Sequence, residues 1–216
     1  MKNILKIALF SFILLVSLSG CVKEDEFIIP PFNAVVFKEN FDAYEVNDDE
    51  YFNFENWVVF NEAGSPVWFE KKTGDFGYIE FNSFRSGDLS NISWAITHKI
   101  NLDSSENEIL NFKTASEYVT SASNKLEVFI STDFNGKDVL LATWIPLQAN
   151  IANHTTNIDS GDSNGLINIP SGDVDLSSYS GDVYIAFKGT GSGTNLELDG
   201  SLRLDDIKIF NKNFKN

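Results

Sequence analysis

Cysteine is nearly absent from this chain. Cys21 is the only one in 216 residues, so no internal disulfide holds the fold, and stability must come from a hydrophobic core or from bound metal. Basic side chains are also scarce, with 16 Lys and Arg against 31 Asp and Glu, a net charge of −15. That balance excludes nucleic acid as a partner, because counterion release needs clustered positive charge. Anionic membrane surfaces would repel such a chain as well. Histidine occurs twice, at His98 and His154, and neither sits near a nucleophile elbow or in metal-ligand spacing, so both read as surface residues rather than catalytic ones. After the first twenty positions, no stretch of a dozen residues keeps apolar side chains at helical spacing without Gly, Asn or Asp interrupting it.

What is present begins with an address. Lys2 and Lys6 precede an apolar run from Ile7 to Val16, and Leu18-Ser19-Gly20-Cys21 closes it with small residues before the cysteine. The run is shorter than the roughly 20 residues a spanning helix needs, and an ordinary secretory signal would leave a lone thiol in an exported protein. The pattern predicts a lipoprotein signal over 1–20 and lipid on Cys21, which then anchors the protein to the membrane. Once Lys2 and Lys6 leave with the signal, 31 acidic residues face 14 basic ones, a charge of −17. Residues 21–33 read as a tether, acidic at Glu24-Asp25-Glu26 and kept out of any ladder by Pro30-Pro31. The acidic cluster directly behind the cysteine resembles the surface-export signal of Bacteroidota lipoproteins. It implies an outer-membrane lipoprotein exposed at the cell surface.

Residues 34–212 fit one all-β domain. Its core has ample material, with 19 Phe, 4 Trp and 6 Tyr in the chain. Leu126, Val128 and Ile130 alternate with polar or outward positions, as do Val183, Ile185 and Phe187, and Leu202, Leu204, Ile207 and Ile209 belong to a last strand. Earlier strand candidates are 35–37, 57–60, 68–71, 78–81, 94–98, 109–118 and 139–145. Many short strands separated by Gly, Asn, Asp and Ser predict an antiparallel sandwich or barrel. Residues 148–172 read as a long polar loop, disordered or a simple insertion in preference to a functional one. Within it Asp159 to Gly165 lacks the glycine an EF-hand requires at its sixth position, and so reads as a solvated loop.

Four segments, taken in order, resemble a known family. Phe37-Lys38-Glu39-Asn40-Phe41-Asp42 is similar to the first strand of the choice-of-anchor J domain, a jelly-roll relative of MAM domains and of the cleaved-adhesin modules of gingipains. Ile92 to Thr97 followed by Ile100 to Leu102 resembles its tryptophan strand, although Thr97-His98 stands where the family often has proline. Val174 to Gly181 with Val183 to Phe187 resembles its penultimate segment, and Leu204-Asp205-Asp206-Ile207 its last strand. The resemblance implies a jelly-roll β-sandwich of two antiparallel sheets, an extracellular location, and binding or adhesion without catalysis.

It also implies a calcium site. If first and last strands are neighbours, Glu39, Asp42, Asp205 and Asp206 converge, and like charges that close repel unless a cation separates them. On a regular strand Asp205 shares a face with Ile207 and Ile209 and points inward, which makes it the better ligand of the pair. The alternative is that Asp205 accepts backbone N–H groups at a bulge. For an extracellular ligand such as glycan, Tyr44, Tyr51 and Trp68 are the candidate contact residues, being nearest polar segments, whereas Trp57 and Trp94 read as core. Two other readings stand beside this one: an accessory subunit that binds another envelope protein, and a glycan-active hydrolase. A large exposed apolar patch would favour a protein partner, and a shallow aromatic groove would favour glycan.

Overall fold

The computed structural model describes residues 34–43, 51–103, 106–157 and 169–212, all within one compact unit, Asn33–Asn216. In chain order the strands are β1 (Val35–Glu39), β2 (Val58–Ala63), β3 (Trp68–Thr73), β4 (Phe76–Phe81), β5 (Asn91–Ile96), β6 (Ile100–Asn101) and β7 (Glu108–Glu117). They continue with β8 (Lys125–Ser131), β9 (Ile145–Pro146), β10 (Ile169–Pro170), β11 (Val174–Asp175), β12 (Asp182–Gly191) and β13 (Ser201–Asn211). Every strand pairing is antiparallel. One sheet runs β10-β7-β13-β4-β3, with β1 also on β13 and β11 on β7; the other runs β2-β5-β12-β8-β9, with β6 on β12. This is the sandwich of two antiparallel sheets that the strand pattern predicts.

Side-chain alternation explains why the sheets stack. Leu126, Val128 and Ile130 on β8 and Val183, Ile185 and Phe187 on β12 face Phe81, Leu110, Phe112, Leu202, Leu204, Ile207 and Ile209 of the opposite sheet. Phe112 meets Phe187 edge to face across the interior, with ring centroids 5.2 Å apart. Close packing also fixes one glycine. A Cβ at Gly189 would lie 2.2 Å from Phe81 Cδ2, so only glycine lets that ring rest on β12.

The smaller sheet is apolar on its outer face too. Trp94, Ile96 and Ala186 pack there against Phe134, Val139 and Trp144, which come from the connection after β8. Residues 139–145, expected as a strand, are instead a 3₁₀ turn at Val139–Leu141 followed by irregular chain, and only Ile145–Pro146 pairs. The apolar residues that suggest a strand there cover a sheet rather than extend it. Residues 148–157 are not a loose insertion either. Asn150 N donates to Ser171 O at 2.9 Å and Ala152 N to Thr114 Oγ1 at 2.8 Å, which ties this segment to the edge of β7. Asp159 to Gly165, like Cys21 and Tyr44, lies outside the described residues.

Strand β13 organises the larger sheet, since β1, β4 and β7 all pair with it. Its register slips between Asp205 and Lys208, and Asp206 has a left-handed φ of 53°. The bulge inverts the parity of the strand. Leu202, Leu204, Ile207 and Ile209 are all fully buried, so Asp205 lies on the face opposite Ile207, not beside it. The inward orientation expected for Asp205 is therefore corrected by this one extra residue.

Candidate functional site

The four carboxylates singled out in the sequence lie where β1 meets β13, with Glu39 opposite Ile207. They do different work there. Glu39 Oε1 accepts the N–H of Phe41 at 2.8 Å, and Asp42 Oδ1 accepts the N–H of Gly77 at 2.9 Å. Asp206 sits between Lys113 Nζ at 2.8 Å and Lys208 Nζ at 2.5 Å, and these ammonium groups outweigh burial to hold its carboxyl below the usual range. Asp205 accepts the N–H of Asp206, which is the bulge alternative, and Lys113, opposite it on β7, offsets its charge only in part while forming its ion pair with Asp206. Burial first, and then the charges of Asp206 and Asp42, push Asp205 up to about 7.

Among the described residues, no three of His, Cys, Asp or Glu gather in a metal-binding arrangement. The cage of four does not form, because two lysines already neutralise Asp206 and Glu39 braces backbone. Asp42 braces backbone as Glu39 does and takes Asn40 Nδ2 on its second oxygen, but its charge disfavours the ionised form of Asp205, a repulsion that a hard cation between the two would relieve.

The aromatic candidates separate cleanly. Trp68 is only 1% exposed and packs edge to face on Phe81, with centroids 5.7 Å apart, so it presents no face to a ligand. The residue pointing outward is its neighbour Phe69, on which Tyr51, 52% exposed, stacks at 5.2 Å. Trp94 is buried and Trp57 half-buried, in line with their reading as core. Both histidines are exposed, and His98 rests against Phe37.

One site on the outer face of the larger sheet was not singled out in the sequence. A groove of about 550 Å³ opens over β4, β13 and β7, floored by Glu80, Arg203 and Glu117 and walled by Asn82, Phe84 and Tyr118. Its size falls within the roughly 300–1,000 Å³ of small-ligand sites. Register builds the floor: Arg203 stands opposite Glu80 on β4, while Ser201, two positions earlier, stands opposite Glu117 on β7. Arg203 Nε donates to Glu80 Oε2 at 2.9 Å, and Nη2 donates to Glu117 Oε2. The guanidinium also lies 5.3 Å from the centre of the Tyr78 ring. Burial alone would lower its pKa, but the Glu80 hydrogen bond and the charges of Glu80 and Glu117 outweigh it and hold Arg203 above its ordinary value. Asn82 Nδ2 donates to Glu80 Oε1 at 3.2 Å and so extends the network to the wall.

The walls carry exposed aromatics at strained or tightly held positions. Phe84 is 50% exposed, and Arg85, 4.7 Å from its ring centre, has φ 62°. Tyr118 is 62% exposed and has φ 59°, a left-handed conformation that a bulky side chain rarely adopts. Its backbone is fixed from both sides. Val119 N donates to Asn157 Oδ1 at 3.0 Å, Asn157 Nδ2 donates to Val119 O at 2.7 Å, and a Cβ on Gly200 would come within 2.6 Å of Tyr118 O. The signal in the sequence was faint but present. Glu80, Glu117 and Arg203 are charged residues that alternate with fully buried neighbours on their strands, and only the strand order shows that they meet.

The fold is shared with known adhesin modules. The chain superposes on the K3 cleaved adhesin domain of Lys-gingipain from Porphyromonas gingivalis w83 with a TM-score of 0.52 at 16% identity, over 82% of this chain and 98% of that one. The K2 cleaved adhesin domain of Lys-gingipain gives 0.51 at 16% identity, with the same coverage of 82% and 98%. At this identity the likeness concerns architecture alone. No curated protein matches the chain. A family model described as "Domain of unknown function (DUF5017)" matches residues 43–212, most of the chain and nearly all of the sandwich, and the chain belongs to that family.

Proposed function

We propose that this chain is a surface-anchored, non-catalytic binding module, held to the outer membrane by lipid on Cys21, that presents the groove over β4, β13 and β7 to an extracellular ligand of glycan type. The observation that carries this reading is the commitment of Glu80 and Glu117 to one arginine. A glycoside hydrolase needs one carboxyl that holds a proton and a second that is free to attack or to activate water. A guanidinium bonded to both carboxylates opposes either role, while a fixed, polar floor between exposed aromatics suits recognition. Calcium bound at Asp42 and Asp205 belongs to the same proposal as a stabiliser of the sandwich, remote from any chemistry.

Incubating the protein with a panel of polysaccharides and following both retention and reducing-end release tests the proposal. Retention without release is the expected result; sustained release at the groove, abolished by Glu117→Gln, would overturn it. Leu140 and Leu141, exposed on the 3₁₀ turn that covers the opposite sheet, are where an envelope-protein partner would dock instead. Complex formation that depends on those leucines, with no glycan retained, would favour the accessory-subunit reading.

A further inference from the structure

Resting on the binding-module reading, we infer that the groove takes a neutral, polyhydroxylated sugar chain that stacks on Tyr118 and Phe84, and that Tyr118 keeps its strained backbone for that contact. The first argument is hydrogen-bond chemistry. Arg203 supplies only donors, Glu117 supplies only acceptors, and Asn82 supplies both, all on one groove. Each has its internal bond already: Arg203 to Glu80 and Glu117, and Asn82 to Glu80. A hydroxyl group donates and accepts, so a row of them satisfies such a mixed surface with either partner. An ammonium group offers no acceptor to Arg203, and a carboxylate or sulfate offers no donor to Glu117.

Charge points the same way. Glu80, Glu117 and Asp199 line the groove against Arg203, and the chain as a whole carries −15, so an anionic glycan is repelled at both short and long range. The same field attracts a cation, so what disfavours a cationic sugar is hydrogen-bond chemistry: an ammonium group offers Arg203 no acceptor.

The second argument is conformational. A left-handed backbone is strained at a bulky L-residue, and glycine at 118 would avoid that strain. The side chain recovers little by packing, since it is 62% exposed. Local strain held in place by surrounding contacts is a mark of functional positions. Here Asn157 and Gly200 clamp the backbone so that the phenol ring stands at the groove wall. Phe84, whose N–H is held by Asn82 Oδ1 at 2.9 Å, stands at the wall from another loop.

The test uses the full chain in detergent and calorimetric titration with linear oligosaccharides of glucose, mannose, galactose and xylose, set against oligogalacturonate and sulfated oligosaccharides. At least one neutral series is expected to bind, with the anionic ones at least about tenfold weaker. Tyr118→Gly should weaken binding by about tenfold or more while leaving the melting temperature unchanged or raised, and Tyr118→Phe should retain binding. Phe84→Ala should weaken it likewise. Neutral sugars that bind equally well to Tyr118→Gly and Phe84→Ala would overturn the inference and leave the module reading standing. Tighter binding of the anionic sugars would overturn the ligand class in the same way. Failure of every sugar, with an envelope protein captured instead, would remove the glycan reading itself. A large loss of stability in Tyr118→Gly would show that the backbone strain serves the fold and not the ligand.

Discussion

Among the described residues, Asp205 is the carboxyl whose charge is least well accommodated. Its carboxyl is raised to about 7 from an ordinary 3.8, by burial first and then by the neighbouring Asp206 and Asp42. The folded state therefore binds a proton that the unfolded chain has already released. The stability this proton contributes is complete below about pH 4, declines as pH rises, and is gone once pH passes about 7. In calcium-free buffer Asp205→Asn, which keeps an acceptor for the Asp206 N–H, should thus match the parent near pH 4 and melt higher at pH 8. Solvent reaches this half-buried group, so the difference is discounted to about 1 kcal/mol, or roughly 2–4 °C. Calcium at pH 8 should raise the melting temperature of the parent and leave Asp205→Asn unmoved. Equal calcium shifts in both proteins would remove Asp205 from the cation site, and equal melting curves at pH 8 without calcium would remove the charge penalty.

At the scale of elements, β8 and β12 were legible because period-two alternation needs no knowledge of a partner. Their inward residues are the ones the pattern names. β13 was legible only up to Asp205, since a bulge is a property of two paired strands and shifts every later side chain to the other face. The same limit hid the groove. Glu80, Glu117 and Arg203 are far apart in the chain, and crossovers rather than sequence neighbours bring β4, β13 and β7 side by side. Trp68 misled for a related reason: its local surroundings are polar, but the register with β4 turns Phe69 outward and Trp68 in. The contact of Gly189 with Phe81 tests how strictly the two sheets are matched. Gly189→Ala should destabilise by about 1–3 kcal/mol through overpacking, at roughly 2–4 °C per kcal/mol. Combining it with Phe81→Leu should cost less than the two changes added separately, because the smaller side chain yields the space. Strict additivity in the double variant would show that β12 shifts to take the methyl group and that the glycine is not set by this ring.

For the whole molecule, the proposed membrane anchor raises the question of what would hold so acidic a protein there. The described residues contain no helix long and apolar enough to cross a bilayer, and the charge of −15 opposes adsorption to anionic lipid. Lys113, Lys208 and Lys212 are paired with Asp206 and Asp173, so these lysines form no free basic patch. If lipid on Cys21 is the attachment, the sandwich contributes nothing to it, and position and binding become separable properties. Cys21→Ser should then move the protein from the membrane pellet to the soluble fraction, with the melting temperature and the sugar affinity of the groove unchanged. High salt should not release the parent protein, because the proposed anchor is apolar and not electrostatic. A Cys21→Ser protein that still sediments with membranes, or a parent protein that salt strips off, would mean that the sandwich itself holds a membrane partner. The exposed leucines at 140 and 141 would then be the first place to look for that contact.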